Sequence, residues 1–489
     1  MATVHASKSA EIRARLDHPV IDADGHTIEY EPAFRAYLHQ VAGPRVLERY
    51  LAHQQHGGIA RWYRLSPQER LDVRLPRPPW WGLPARNTLD RATAMLPRLL
   101  RERLEALGID FAILYPTQGL FFVHMPDEEL RRATCRALNV YHAEIFRDCA
   151  DRMTPAAVIP MHTPAEAIAE LEYAVKELGL KAVMIAGQVR RPIPYVARTA
   201  PQVARYALWL DTFGVDSAYD YDPFWAKCVE LKVAPAAHSG GMGWGSRVSV
   251  SNYMFNHLGH FAAAGEALCR ALFMGGVTRR FPALKVAFLE GGVGWACNLF
   301  ADLVGHWEKR NRQAVEHYNP ALLDRELLRE LCRRYGAPSL VDRLEQLNGS
   351  SPLPGDVQAE ALLDEWAACQ ITRVEEIAEL FVPRFYFGCE ADDPLTAWAF
   401  NTNINPFGAR LRAMFSSDIG HWDVPDMTAV LAEAYELVTQ GIMTAEDFRN
   451  FVFTNPVTLY AETSPAFFKG TAVEAAVEKL LAREYPVKT

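Results

Sequence analysis

Asp24 and His26 are the first pair of residues whose types and spacing point to chemistry. They end a short apolar run that begins at Val20 and predicts a β-strand. Side chains two positions apart in an extended strand point to the same side, so Asp24 and His26 can reach one cation together. An isolated Asp-x-His pair also fits a turn cap beside a core histidine, so the rest of the chain must decide between these alternatives.

The elements that must position this pair alternate along the chain. Apolar runs predict eight strands, over 20–24, 111–116, 156–162, 182–187, 233–238, 285–291, 385–390 and 411–418. Amphipathic segments between them predict helices over 91–107, 127–152, 164–178, 223–231 and 254–279, with a C-terminal helix over 472–485. This alternation predicts an α/β fold, a (β/α)8 TIM barrel. A doubly wound open sheet is the alternative, but no GxGxxG fingerprint follows an early strand.

Three segments do not fit the repeat of strands and helices. Residues 188–220 are predicted to form a loop. The segments 31–87 and 295–380 are much longer than ordinary connections, which indicates insertions. We therefore predict a single elaborated barrel domain over residues 1–489, with insertions at 31–87 and 295–380 that shape the pocket or an interface between subunits.

Polar residues fall where barrel enzymes place their chemistry. Active sites of such barrels lie at the carboxyl ends of the strands. In this chain the predicted strand ends carry Asp24, His26, His162, His238, Glu290, Glu390 and Asp418. We expect these side chains to converge at one mouth of the barrel.

Composition excludes several classes of function. The chain has 489 residues, 49% of them hydrophobic and 22% charged, as in a globular protein with a large core. Its net charge of -8 offers no basic surface for nucleic acid or anionic lipid. No run of 18 apolar residues predicts a membrane span. We therefore predict a small-molecule substrate, with neither nucleic acid nor a membrane as partner.

The eight cysteines are widely spaced and form no CxxC pair. Residues 1–19 are too charged for the apolar region of a signal peptide. A disulfide framework and a thiolate zinc site are therefore not expected, and we predict a cytoplasmic location.

Several stretches of the chain resemble one family. They are Ile21-Asp-Ala-Asp-Gly-His26, Ala237-His238, the run from Gly275 to Trp295 that contains Phe-Pro-Ala-Leu-Lys, and Phe415-Ser-Ser-Asp-Ile-Gly-His-Trp-Asp423. The sequence resembles the amidohydrolase superfamily, in the branch that includes aminocarboxymuconate semialdehyde decarboxylase and its relatives. The resemblance runs from residue 21 to about residue 460, with both insertions divergent. It implies a metal-dependent barrel enzyme that forms a homodimer.

The resemblance also implies a ligand set of Asp24 and His26 on strand one, His238 after strand five and Asp418 after strand eight. Imidazoles and carboxylates together suit Zn²⁺, Mn²⁺ or Fe²⁺. The family usually has His-x-His on strand one, and Asp24, a harder ligand, shifts the expectation toward iron or manganese. Decarboxylases of the family carry a histidine at the end of strand six, where this chain has Glu290, which argues against decarboxylation.

Glu290 itself has three interpretations. It could pair with Arg279 or Arg280, act as a general base, or bind a second metal ion. His257 and His260 lie on one face of a predicted helix and could reach the same pocket, as ligands of a second metal or as substrate contacts. Further candidates are His162, Glu390, His421 and Asp423 for substrate contacts, and Trp244, Trp80 and Trp81 for the wall of an apolar pocket.

The leading prediction is a metal-dependent hydrolase that acts on a small acyl, amide or lactone compound through metal-activated water, with Asp418 or Glu290 as base. A decarboxylase or hydratase is the first alternative. If Glu290 bridges two ions, the site would be a dinuclear iron centre that activates O2. The family resemblance allows this alternative, because a barrel of this superfamily has been recruited for such oxygenation. A non-catalytic scaffold would give no reason for ligand residues at four strand ends.

Overall fold

The computed structural model describes residues 6–79, 85–240, 243–245, 247–319, 322–344 and 364–484. Its strands are β1 Ile21–Thr27, β2 Phe111–Pro116, β3 Met153–Ile159, β4 Ala182–Ile185, β5 Val189–Pro192, β6 Leu208–Asp211, β7 Pro235–Ala237, β8 Val286–Phe288, β9 Phe385–Glu390 and β10 Arg412–Ser416. Eight of them form one sheet in the order β1-β2-β3-β4-β7-β8-β9-β10. Strands β5 and β6 form a separate antiparallel hairpin.

Neighbouring strands of the large sheet are parallel. Backbone hydrogen bonds then join its two edges: the Asp418 amide donates to the Asp24 carbonyl at 3.0 Å, and the His26 amide donates to the Ile419 carbonyl at 2.8 Å. These bonds close the sheet into a ring. The predicted (β/α)8 TIM barrel is confirmed, and the open doubly wound sheet is excluded.

Helices cover the outside of the barrel. In the first half of the chain they are α1 Lys8–Arg13, α2 Glu31–His56, α3 Gly58–Arg64, α4 Pro67–Asp72, α5 Thr88–Met95, α6 Pro97–Leu107, α7 Gly119–Phe122, α8 Glu128–Ile145, α9 Pro164–Glu172, α10 Pro194–Thr199 and α11 Asp222–Glu230. In the second half they are α12 Tyr253–His257, α13 His260–Met274, α14 Val277–Arg280, α15 Gly294–Arg310, α16 Arg325–Tyr335, α17 Pro338–Val341, α18 Glu376–Phe381, α19 Val430–Thr439, α20 Ala445–Arg449, α21 Asn455–Thr463 and α22 Glu474–Glu484.

Several predicted element bounds need correction. Strand β1 runs three residues beyond the predicted end at Asp24, to Thr27, and all of it is buried. Strand β3 covers Met153–Ile159, so His162 lies past the strand rather than at its end. The predicted loop 188–220 contains the hairpin of β5 and β6. Short strands with charged residues on one side give a weak apolar signal, which explains this omission.

Two predicted helices are broken at residues that cannot continue a helix. The segment 91–107 forms two helices because Pro97 has no amide hydrogen and begins the second one. The segment 254–279 forms three helices, with Gly259 and Gly276 in the left-handed region at φ of 69° and 71° before the second and the third.

The insertions are helical in their described parts. The first contains α2, α3 and α4, and α2 packs on α8 beside the barrel. The second contains α15 to α18. The predicted aromatic pair Trp80 and Trp81 lies outside the described residues. The division of the chain into one domain with these two insertions stays a prediction. Among the described residues, no helix is long and apolar enough to cross a membrane.

Candidate metal centre

Strand β1 brings two candidate ligands to the mouth through an irregularity. Its register with β2 shifts between Asp22 and Gly25, as in a β-bulge. A Cβ atom on Gly25 would lie 2.6 Å from Oδ2 of Asp22, so glycine is required at this close approach. The side chains of Asp24 and His26 on either side of Gly25 are fully buried and face the same group of ligand atoms.

His26 lies at the centre of the cluster. Its Nε2 atom is 3.6 Å from Oδ1 of Asp24, 3.1 Å from Oδ1 of Asp418 and 3.3 Å from Nε2 of His238. The Nδ1 atom of His238 donates a hydrogen bond to the Ser239 carbonyl at 2.9 Å. This bond leaves Nε2 of His238 as the nitrogen that can bind a cation.

Glu290 joins this cluster from the end of β8. Its Oε2 atom lies 3.0 Å from Nε2 of His238. The ligand atoms of His26, Glu290, Asp418 and His421 all lie within 4.8 Å of one another. The His421 ring stacks on the His26 ring with centroids 3.7 Å apart, and its Nδ1 atom is 2.8 Å from Asp418.

A second group shares Glu290 with the first. The ligand atoms of His257, Glu290 and Asp423 also lie within 4.8 Å of one another. His257 comes from α12, and Asp423 comes from the loop after β10. The Glu290 carboxylate therefore belongs both to the group that contains His26 and to the group that contains His257, while Asp24 forms a third group with His26 and His238.

Two of these carboxylates sit on a strained backbone. Glu290 has a φ of 59° and Asp418 a φ of 49°, which is the left-handed region that non-glycine residues rarely adopt. Each such residue costs on the order of 1–3 kcal/mol, and such strain clusters at active sites and ligand-binding sites. Each of these residues lies two positions beyond the end of its strand, β8 or β10, and contributes its carboxylate to the cluster.

The carboxyl groups repel one another in a buried setting. Burial raises the pKa of Asp418 to about 8, and burial with the charge of Asp418 raises that of Asp423 to about 8. Burial and the charges of Asp418 and Asp24 raise the pKa of Glu290 well above its usual range. Burial and the charge of Asp418 do the same for Asp24. A cation placed among these groups would relieve the repulsion and favour their charged forms.

The histidines are held in the form that binds metals. Burial lowers the pKa of His238 to about 3 and that of His421 to about 4. Burial and the proximity of His421 and His238 lower the pKa of His26 well below its usual value. Neutral imidazole is the state in which a ring nitrogen can donate a lone pair to a metal.

The residues present fit a divalent cation. Both carboxylate oxygens of Asp24 are buried and have no hydrogen-bond partner among the described residues. The ion-pair partners of Asp24, Glu290 and Asp418 in this part of the chain are histidines. A buried carboxylate without a partner is costly, and a metal ion supplies the missing positive charge.

The structure brings together the predicted ligands Asp24, His26, His238, Glu290, Asp418 and His257, and it adds the predicted substrate candidates His421 and Asp423 to the same cluster. Of the three interpretations of Glu290, the ion pair with Arg279 or Arg280 is excluded, because both arginines pair with other carboxylates. Arg279 pairs with Glu376 at 3.0 Å, and Arg280 pairs with Asp222 at 2.6 Å. The roles of the clustered residues stay predictions.

The remaining candidates lie around the cluster. His260 is buried and belongs to none of the ligand groups, and its ring lies 6.5 Å from the ring of Trp244. The carbonyl of His162 accepts a hydrogen bond from Arg191 at 2.9 Å. Glu390 lines a cavity of about 490 Å³ that also contains Asp418 and Asp423. This cavity therefore adjoins the cluster.

Two supporting contacts escaped the sequence analysis. Oδ1 of Asp22 accepts a hydrogen bond from the Ser417 amide at 2.9 Å, and Oδ2 accepts one from the Ser417 hydroxyl. Tyr115 is fully buried, with its ring 6.3 Å from that of His26 and its hydroxyl 3.2 Å from that of Tyr460. The sequence could have indicated a role for Asp22, because side chains two positions apart in a strand share a face and Asp24 is two positions away.

Comparisons with known proteins identify the family and the fold of this chain. A family model described as amidohydrolase matches residues 21–338. Among solved structures, an amidohydrolase from Mycobacterium avium subsp. paratuberculosis K-10 is 16% identical with a TM-score of 0.50, covering 91% of this chain and 100% of that one. At this identity the likeness shows the fold alone.

Two further structures are more distant. A dihydroxybenzoic acid decarboxylase from Polaromonas sp. JS666, with bound manganese and 2-nitroresorcinol, is 15% identical with a TM-score of 0.45, covering 92% of this chain and 99% of that one. A 4-oxalomesaconate hydratase from Rhodopseudomonas palustris is 14% identical with a TM-score of 0.42, covering 94% and 99%. No curated protein sequence matches the chain.

Proposed function

Because this chain belongs to the amidohydrolase family and is a metal-dependent enzyme, we propose that it binds two divalent ions bridged by Glu290 and oxygenates a small organic substrate. The observation that supports this proposal best is that Glu290 belongs to two groups of candidate ligands. A carboxylate has two oxygens and can bind two cations, which lie about 3.5–4 Å apart in two-metal sites.

The ligands divide between two positions. The first ion would be held by Asp24, His26 and His238, whose ligand atoms lie within 4.8 Å of one another. The second would be held by His257 and Asp423, with Glu290 reaching both. The remaining candidates, Asp418 and His421, belong to a group that also contains His26 and Glu290 and therefore lie between the two positions.

The donor set favours iron or manganese over zinc. In the family resemblance described above, Asp24 and Glu290 stand where relatives have imidazoles, so this chain has exchanged nitrogen ligands for carboxylates at two places. Hard oxygen ligands shift preference from zinc toward iron or manganese. Iron held by these residues would supply the electrons that reduce O2. In balance, one oxygen atom enters a substrate C–H bond and the other leaves as water, with two electrons from an external reductant and two protons.

The chain's own residues would bind the substrate beside the ions. His257 is flanked by rings of Phe261, Tyr253 and Trp422, with centroids 5.4, 5.5 and 5.2 Å away. These rings suit an apolar substrate and restrict water beside the cluster. Asp423 lies buried beside Asp418, and an ion at the second position would hold it in its charged form.

Hydrolysis of a small acyl, amide or lactone compound is the second candidate. The observation that favours it is the position of the Asp418 carboxylate, whose Oδ1 atom lies 3.1 Å from Nε2 of His26 among the candidate ligands, where it can accept a proton from water. Both candidates use the same ligands. They differ in whether O2 or water is consumed.

The test loads metal-free protein separately with Fe²⁺, Mn²⁺ and Zn²⁺. O2 uptake with ascorbate is measured alongside hydrolysis of p-nitrophenyl acetate and CO2 release from 2,6-dihydroxybenzoate. We expect O2 uptake by the iron form above that of an iron-treated His26→Ala variant, with Asp423→Asn reduced to the variant's level. Hydrolysis by the zinc or manganese form without O2 uptake by the iron form would establish the second candidate instead, and CO2 release would establish a lyase.

A further inference from the structure

Arg190 and Arg191 are neighbours in strand β5 and have opposite surroundings. Successive side chains of a strand point to opposite sides, so the two guanidinium groups lie on opposite sides of the hairpin. Arg191 pairs with Asp211 at 2.5 Å. It also donates hydrogen bonds of 2.9 Å to the His162 carbonyl and the Tyr221 hydroxyl. The side chain of Arg190 has neither an ion pair nor a hydrogen bond among the described residues, so it is available to a ligand.

The guanidinium group of Arg190 lies in a concave part of the surface. Solvent reaches this side chain, yet the surrounding protein removes enough of its hydration to lower its pKa. The group still carries its charge at neutral pH, because arginine is not deprotonated in proteins. No carboxylate of the described residues acts on this charge. A partly desolvated cation without a counter-charge is costly, and an anionic ligand would remove that cost.

Two histidines from other loops of the barrel lie near Arg190. His124 follows α7, after strand β2, and His260 begins α13, after strand β7. Burial and the charge of Arg190 lower the pKa of His124 to about 3 and that of His260 to about 4. Both rings are therefore neutral at physiological pH, and each has one N–H group that can donate to an anion. The three side chains together form a region with one cation and two neutral donors.

This region adjoins the candidate metal centre. The ring of Phe261 lies between them, with its centroid 5.2 Å from that of His260 and 5.7 Å from that of His238. A small cavity beside this ring is lined in part by His238, Ser239 and Gly187, the last of which follows strand β4. Ser239 is buried, and its hydroxyl group has no hydrogen-bond partner among the described residues. It is a further donor for an anion placed near the metal ligands.

We propose that Arg190, His124, His260 and Ser239 form a subsite that binds a carboxylate group of the organic substrate while the rest of that substrate reaches the metal ligands. A planar guanidinium group matches a carboxylate through two parallel hydrogen bonds. The inference rests on the proposed function, because it takes the metal centre as the place of reaction.

The subsite defines the class of substrate. The carboxylate is held away from the metal ligands, so it is the group that the protein recognises and not the group that reacts. The ring of Phe261, between the subsite and His238, suits an apolar body. The substrate is therefore an apolar molecule with a carboxylate at one end, and its reacting carbon lies on the far side of that body.

Calorimetric titration of the full chain as purified, with benzoate and with its neutral isostere benzamide, tests the proposal. We expect the natural chain to bind benzoate more tightly than benzamide by about tenfold or more, the usual effect of a hydrogen bond to a charged group. Arg190→Gln should abolish this preference, and Arg190→Lys should keep part of it because the charge remains. Arg198→Gln is the matched control, since Arg198 is an exposed arginine of the same predicted loop, in α10, and this variant should retain the preference.

The proposal is overturned if the natural chain does not prefer benzoate, if Arg190→Gln keeps the preference, or if Arg198→Gln loses it equally. Binding of inorganic phosphate instead of benzoate, lost in Arg190→Gln, would overturn the assignment to a carboxylate in favour of a phosphate group. Circular dichroism confirms that each variant is folded.

Metal content of the same preparations separates this result from the proposed function. A chain that holds two ions and shows no preference for benzoate loses the subsite alone. A chain that prefers benzoate through Arg190 but cannot hold two ions keeps the subsite and loses the proposed reaction.

Discussion

The amide of Asp418 donates a hydrogen bond to the carbonyl oxygen of Asp24 at 3.0 Å, so the contact that closes the barrel also sets two candidate metal ligands side by side. The buried carboxylate of Asp22 strengthens this seam through the amide and hydroxyl of Ser417. Fold closure and the metal cluster are therefore one structural unit. A change at this seam should affect both stability and metal binding.

Replacing His238 by alanine should remove the ion that Asp24, His26 and His238 would hold and so lower the metal content of the purified protein by at least one ion per chain. The side chain lies 3.3 Å from His26 and 3.0 Å from Glu290, so its loss leaves a gap in the centre of the cluster. Elemental analysis by mass spectrometry measures the effect. His260→Ala is the matched control, because His260 is also buried near the mouth but belongs to no ligand group. Normal metal content in the His238 variant would contradict the assignment.

Gly25→Ala should destabilise the protein by about 1–3 kcal/mol, the usual cost of forcing extra atoms into a packed site. The added Cβ atom would lie 2.6 Å from the Asp22 carboxylate and 3.0 Å from Leu114. Urea denaturation measures the change in the free energy of unfolding, and metal affinity should fall with it. Gly305→Ala, in α15 with open space around its Cβ position, should be neutral or stabilising by up to about 1 kcal/mol. Equal effects of both changes would show that the bulge is not tightly constrained.

Glu29→Gln should change how stability depends on pH. Burial raises the pKa of this carboxyl from 4.5 to about 8. Between these values the folded chain keeps the proton and the unfolded chain has lost it, so the wild-type free energy of unfolding falls as pH rises, by up to about 1.4 kcal/mol per pH unit. Glutamine cannot ionise, and it keeps an oxygen that can accept the Gln118 amide hydrogen bond of 3.0 Å.

The expected result is that Glu29→Gln gains stability relative to the wild type as pH rises from 5 to 8. Denaturant midpoints at each pH, with saturating metal throughout, measure it. Glu128→Gln, at an exposed position on α8, is the control and should follow the wild type at every pH. A constant difference between Glu29→Gln and the wild type across this range would refute the prediction.

The sequence was informative about the barrel because the strand signal is local. Buried parallel strands are continuous apolar runs, and 111–116 and 385–390 were predicted with the bounds that β2 and β9 have. Broken helices and the hairpin of β5 and β6 were not predicted. The helices end at Pro97 and at glycines in the left-handed region, and the hairpin depends on packing. These features leave the pattern of apolar residues along the segment almost unchanged, so the pattern does not reveal them.

The sequence identified most residues of the cluster as candidates, but it did not predict which of them would lie in contact. Strand ends identified Asp24, His238, Glu290 and Asp418 as candidates, because the carboxyl ends of barrel strands share one mouth. Asp423, and not His260, lies with His257 and Glu290. This contact depends on how the loop after β10 packs near α12. The sequence offers no signal for a contact between such distant loops. The left-handed conformations of Glu290 and Asp418 were equally hidden.

Metal stoichiometry tests the central claim most directly. Protein purified without chelator and reconstituted with Fe²⁺ should contain two ions per chain, and Asp423→Asn should contain one because only the position of His257 is lost. Elemental analysis against quantitative amino-acid analysis gives the ratio. One ion per chain in the natural protein, unchanged by Asp423→Asn, would contradict a centre bridged by Glu290.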